Sequence, residues 1–109
     1  MISDNELSFK IINASCIDIT ENKTNREVNE MLVEELSELI QAVIKLERWD
    51  NGETTLRYNI DEIHNNLYEE LADVNIMMLQ FIYKNKIEYK ELLNKMCKKL
   101  IRYYETKQE

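Results

Sequence analysis

Proline is absent from this chain of 109 residues and glycine occurs once, at Gly52. These two residues supply most tight turns and hairpins, one by fixing φ and the other by tolerating positive φ. A chain nearly without them favours long uninterrupted helices, and it disfavours many-stranded architectures, collagen-like repeats and linker-rich disorder. The length is that of one domain, residues 1–109, because chains divide into separate cores only well beyond it.

Charge narrows the partners. Twenty-one Asp and Glu against 14 Lys and Arg leave a net charge of -7, which repels nucleic acid phosphates over the surface as a whole. A cluster of carboxylates that binds metal remains compatible with that balance. No apolar run approaches the roughly 20 residues of a membrane helix, and the N-terminus carries no signal-peptide pattern. The expectation is a mature chain starting at Met1 in the cytoplasm, with Cys16 and Cys97 as reduced structural thiols, since they fit no zinc spacing.

Leu32, Leu36, Leu39, Val43 and Leu46 step by four and three, the spacing of one helical face. Thr24 to Glu27 has the form of a capping box ahead of them. The spacing predicts a helix from about 25 to 49, ending near Asp50-Asn51-Gly52. A second helix is predicted from Asn59, with Glu62 three residues on, to about residue 84. Its apolar arc holds Ile60, Ile63, Leu67, Leu71, Val74, Met78, Phe81 and Ile82. Asn85 is the expected left-handed residue of the break that follows. Tyr89, Leu93, Met96, Leu100 and Tyr103 predict a third helix. Residues 1–20 mix alternation with helical spacing and are read as a short helix. The fold class is therefore all-α, three long amphipathic helices plus a short N-terminal one. Apolar arcs wider than one partner can cover imply oligomerisation into four-helix-bundle modules.

A near-repeat of acids is the informative feature. Glu34-Glu35-Leu36-Ser37-Glu38 in the first long helix is matched by Glu69-Glu70-Leu71-Ala72-Asp73 in the second. At about 100° per residue, Glu35 and Glu70 lie at the margin of the buried arc, with Glu38 and Asp73 toward the rim. If the helices pack through Leu36 and Leu71, four carboxylates converge and repel by several times the thermal energy. A cation or protons must then sit among them. An all-oxygen set suits magnesium or manganese rather than zinc. Iron is disfavoured, because His64 is the single histidine and reads as a half-buried, hydrogen-bonded residue on the apolar arc. Lys95, Lys98 and Arg102 share a stripe beside the core line of the third helix. They are either its ordinary basic flank or contacts for a polyphosphate. A chain with one glycine cannot build a phosphate-binding loop.

With these strings, running on through Leu39-Ile40-Gln41-Ala42 and Val74, residues 25 to 105 resemble the MazG-like all-α nucleoside triphosphate pyrophosphohydrolases, in particular the short single-domain members. Lys95-x-x-Lys98-x-x-x-Arg102 is similar to a Lys-x-x-Arg-x-x-x-Arg pattern of such members. The resemblance implies magnesium-dependent hydrolysis of a nucleoside or deoxynucleoside triphosphate to the monophosphate and pyrophosphate. It also implies metal ions on Glu35, Glu38, Glu70 and Asp73, phosphates held by Lys95, Lys98 and Arg102, and a homodimer or homotetramer. Two alternatives are a non-catalytic nucleotide-binding module and a helical oligomerisation module on the same fold. The 31 residues between Glu38 and Glu70 exceed the spacing of many relatives, and the excess falls in a loop from Trp49 to Asn59. Trp49, at the end of the first long helix, either packs or offers an aromatic face for a base. Asn75, on the otherwise buried arc, faces the substrate or bonds to another helix.

Overall fold

A computed structural model describes residues 2–52 and 59–107. Four helices and no strand are present among them: α1 Asp4–Glu21, α2 Asn25–Asp50, α3 Ile60–Lys84 and α4 Tyr89–Lys107. Most of the expected loop between α2 and α3, residues 53–58, lies outside the described residues.

Local chemistry sets the boundaries. Thr24 Oγ1 accepts the Glu27 N–H at 3.1 Å, and Asn59 Oδ1 accepts the Glu62 N–H at 2.9 Å. Each satisfies an orphan donor of a helix start. Gly52 takes φ +75° just beyond the end of α2, as expected. At the end of α3 the left-handed residue is Lys86, at φ +54°, and not Asn85, at φ -93°. Asn85 keeps a near-helical backbone while its side-chain amide and its N–H both donate to the Phe81 carbonyl, at 2.9 and 3.0 Å. Two further bonds close the turn, Lys86 N–H to Tyr83 O and Ile87 N–H to Ile82 O, the Schellman pattern that glycine usually serves. Lys86→Gly is therefore expected to stabilise the protein by about 1 kcal/mol, through relief of the left-handed penalty of a β-carbon. Urea midpoints at fixed protein concentration test this, and an unchanged or lower midpoint would contradict it.

The N-terminal helix is not short, since α1 runs for 18 residues. Ser3 caps its start by accepting the Glu6 N–H at 3.1 Å. Its last turn holds no basic side chain, and Lys84 of α3 supplies one by donating to the Thr20 carbonyl at 3.2 Å. A cation there complements the negative end of the helix dipole. Cys16 and Thr20 are buried against α3, with the Cys16 thiol directed at the Ile76 carbonyl 3.8 Å away.

Helices α2 and α3 form the central pair. They are antiparallel, because Lys45 shares a recess with Ile63 and Asn66 while Glu35 meets Glu70 further along. The seam does not run through the two leucines. Leu36 is 39% exposed and Leu71 45%. Buried instead are Val28 and Ala42 of α2 and Ile63, Val74 and Met77 of α3. Positions 28, 35 and 42, like 63, 70 and 77, are seven apart, and seven residues bring a helix back to within about 20° of the same direction. Glu35 and Glu70 thus occupy the midline of the contact, not its margin. Valine and alanine on that line allow close helix approach, which the bulkier leucines would prevent.

Leu36, Val43, Leu71 and Met78 each follow a midline position by one. In an antiparallel pair the same rotation on both helices turns these side chains to one side, so they make a single apolar face. All four are exposed. Ile76 and Tyr83, which precede midline positions by one, mark the opposite side, where α1 lies. No residue of α4 is buried, and its whole expected core line from Tyr89 to Tyr103 is exposed. Cys97 is on α4 and exposed, so it is not a core thiol as Cys16 is. The radius of gyration, 17.8 Å, compares with about 13 Å for a compact chain of this length. One chain leaves its apolar surface open.

Candidate functional site

The midline placement brings the acids together. One oxygen each from Glu35, Glu38 and Glu70 lie within 4.8 Å of one another, and all three side chains are half-buried. Asp73 is exposed beside them, and its negative charge acts on both Glu35 and Glu70. Burial first, then the neighbouring carboxylates, raise the Glu35 and Glu70 carboxyls above their ordinary value. Glu38 sits between the two, within hydrogen-bonding reach of each.

Oε2 of Glu35 and Oε2 of Glu70 are buried without a hydrogen-bond partner. Buried polar atoms are normally satisfied, so two orphaned carboxylate oxygens facing a third acid fit a hard cation. Octahedral magnesium, with bonds near 2.1 Å, places its ligand oxygens about 3 to 4 Å apart. The carboxylates are already close to that spacing. No histidine or thiol joins the group. His64 is exposed rather than half-buried. With Leu67, Tyr68 and Leu71 it lines a recess of about 290 Å³ on the open side of α3. Tyr68 had no signal in the sequence, since it stands off the apolar arc.

The other candidates are not brought to the acids. Lys95, Lys98 and Arg102 line one shallow recess on α4 together with Lys99, which the sequence pattern did not single out. No ion pair joins these four to any described residue. Trp49, in the last turn of α2, is partly exposed, and 14 residues of helix put it about 21 Å along the axis from Glu35. Asn75 is exposed and turned back on its own helix, its amide donating to the Leu71 carbonyl at 2.7 Å. It therefore neither lies on the buried arc nor bonds to another helix.

Among the described residues, no helix is long and apolar enough to cross a membrane. Neither curated proteins nor solved structures gave a match. A family model, the MazG nucleotide pyrophosphohydrolase domain, matches residues 23–106. That span takes in α2, α3, all four acids and the α4 cations. The family is one of hydrolases that act on phosphoric anhydrides and generally depend on a divalent metal. With both acid pairs and the helices that carry them inside the match, the chain belongs to the MazG nucleotide pyrophosphohydrolase family.

Proposed function

We propose that this protein hydrolyses a nucleoside or deoxynucleoside triphosphate to the monophosphate and pyrophosphate, as a homodimer or homotetramer in the cytoplasm. The observation that carries the reading is the carboxylate group across the α2/α3 seam, with two buried oxygens that lack partners. Glu35, Glu38, Glu70 and Asp73 would hold Mg2+ or Mn2+. When bound, such an ion neutralises phosphate charge and makes water a better nucleophile.

The chain's own groups do the rest. Rigid helix positions fix Glu35 and Glu70 face to face, so the site is organised before substrate arrives. As water adds to phosphorus and the α–β anhydride bond breaks, pyrophosphate leaves with the bridging oxygen. The proton lost by the water passes to a carboxylate oxygen of the group. Lys95, Lys98 and Arg102 hold the phosphates, with Arg102 able to grip two oxygens at once. Within one copy the Asn75 amide is engaged by its own helix and the Trp49 indole stands far along α2, so a contact of Trp49 with the base, like that of the α4 cations with the phosphates, is a role in the assembled oligomer.

Incubation of the pure protein with common NTPs and dNTPs should release pyrophosphate with magnesium or manganese and none with chelator. Folded protein that yields no pyrophosphate from any of them would sink the reading. Magnesium-dependent nucleotide binding without hydrolysis would favour the non-catalytic alternative instead.

A further inference from the structure

Three helix ends meet at one end of the molecule, away from the acids. The last turn of α1 brings Thr20 and Glu21, the first residue of α2 is Asn25, and the end of α3 brings Tyr83 and Lys84, with Lys86 in the turn beyond. Together they line a recess of about 550 Å³, within the size range of small-molecule pockets. Lys84 comes 14 residues after Glu70 and Asn25 ten before Glu35, so the recess lies about 21 Å along α3 and about 15 Å along α2 from the acid group. One small ligand does not reach both.

The lysines there exceed what the helix ends need. Lys84 Nζ donates to the Thr20 carbonyl of α1 at 3.2 Å, which uses one of an ammonium's three donors. The end of α3 is closed without the Lys86 ammonium. Its carbonyls at Phe81, Ile82 and Tyr83 already accept from Asn85, from the Ile87 N–H and from the Lys86 backbone N–H. Neither lysine is in an ion pair among the described residues. Of the lining residues only Glu21 is acidic, and its carboxylate takes the Tyr83 hydroxyl at 3.4 Å. Two lysines against one acid leave a positive recess on a chain of net charge -7. Lys86 lines it from φ +54°, a backbone position that glycine would serve without strain. Strain of this kind is kept where a side chain has a use.

Two ammonium groups match a phosphate monoester, which carries about -1.5 to -2 charges near neutral pH. A triphosphate brings more charge than they neutralise. The volume left beyond one phosphoryl group has the Tyr83 ring at its side, 42% exposed, and an aromatic face accepts a base. We infer that this recess at the ends of α1, α2 and α3 binds a nucleoside monophosphate, its phosphate on Lys84 and Lys86 and its base against Tyr83. The site is separate from the acids and stands whether or not they turn over a triphosphate. Under the function proposed above, the monophosphate is the product, and the recess is where it rebinds.

Calorimetric titration in chelator tests this, because the metal-free acids repel an anion and do not supply the signal. Wild type should bind at least one of the adenosine, guanosine, cytidine and uridine monophosphates saturably. Lys86→Gly should weaken that binding at least about tenfold, since a hydrogen bond to a charged group is lost, while its melting temperature without ligand rises. Lys86→Asn is a second uncharged variant, with a residue suited to positive φ, and Lys86→Arg should restore most of the affinity. Tyr83→Leu should weaken the monophosphate and leave inorganic phosphate unchanged.

Wild type that binds none of the four overturns the inference, as does binding unchanged in both Lys86→Gly and Lys86→Asn. Binding lost in Lys98→Ala with Arg102→Ala but kept in the Lys86 variants places the ligand on α4 and overturns it too. Inorganic phosphate that binds as tightly as the monophosphates overturns the nucleoside assignment. Turnover does not enter these readouts. If no triphosphate is hydrolysed and the pattern still appears, the enzymatic reading falls and the recess stands. If hydrolysis is found and the pattern fails, only the recess falls.

Discussion

Glu35→Gln or Glu70→Gln is expected to raise the melting temperature of the metal-free protein while cutting pyrophosphate release by about a hundredfold or more. Both carboxylates are held at the seam against burial and against like charge, which raises their proton affinity in the fold. A glutamine of nearly the same shape removes the charge and can donate to Glu38. The sign with pH follows. Below the unfolded value of an ordinary glutamate the two groups are protonated in both states, and their contribution to stability is fully present. As pH rises through the higher folded values they ionise in an unfavourable place, and that contribution is lost. Metal-free protein should therefore melt higher near pH 5 than near pH 8 on account of these groups, and either glutamine variant should flatten that dependence. Magnesium should reverse the ranking, since it stabilises the parent in proportion to occupancy and has less to hold in the variant. Melting curves at several pH values, with and without chelator, decide it. A variant that melts below the parent at pH 8 without metal would show that these acids stabilise the fold instead.

If the proposed oligomer forms through the exposed stripe of α4, Met96→Glu combined with Leu100→Glu should leave a monomer and abolish hydrolysis. Burying a methionine or leucine contributes about 1.5 to 3 kcal/mol each. Losing that on α4 of both copies raises the dissociation constant by at least about a thousandfold. Because no residue of α4 is fully buried and Met96 and Leu100 are exposed in their own chain, α1 to α3 should stay folded. Any loss of helical signal should not exceed the 19 residues of α4. Sedimentation at micromolar concentration with circular dichroism on the same samples checks both parts. An oligomer that survives the double substitution places the interface elsewhere, and a general collapse of helicity means that α4 supports its own chain.

The helices were legible because their ends are written locally. Thr24 with Glu27, Asn59 with Glu62, and Gly52 each act within a few residues, and α2 runs Asn25–Asp50 where the spacing predicts about 25 to 49. The acids, too, could be found from their doubled spacing. What the pattern could not tell was which of two adjacent apolar stripes faces the neighbouring helix. Counting leucines favoured the line of Leu36 and Val43, but Val28 and Ala42 form the seam, where small side chains bring backbones close. An acid on the seam of two packed helices breaks the rule by which the core is recognised. Similar reasons account for the misses at the ends. Asn85 has the commoner left-handed residue type, yet its amide is used on Phe81 and the conformation passes to Lys86. Leu7, Phe9 and Ile11 alternate like a strand, while Ser3 caps a helix that contains them all.

The seven-residue spacing of the seam gives the site an evolutionary liability. Glu35 stands where the ladder of Val28 and Ala42 would accept an aliphatic residue, and Glu70 does the same between Ile63 and Met77. Each acid is one substitution of a single layer away from an unbroken zipper. Drift toward greater stability therefore leads straight through the acid group, and on the proposed function selection for turnover is what holds it open. A descendant relieved of that duty would lose its acids first at these two positions and keep its helices, becoming a pure assembly module on an unchanged backbone.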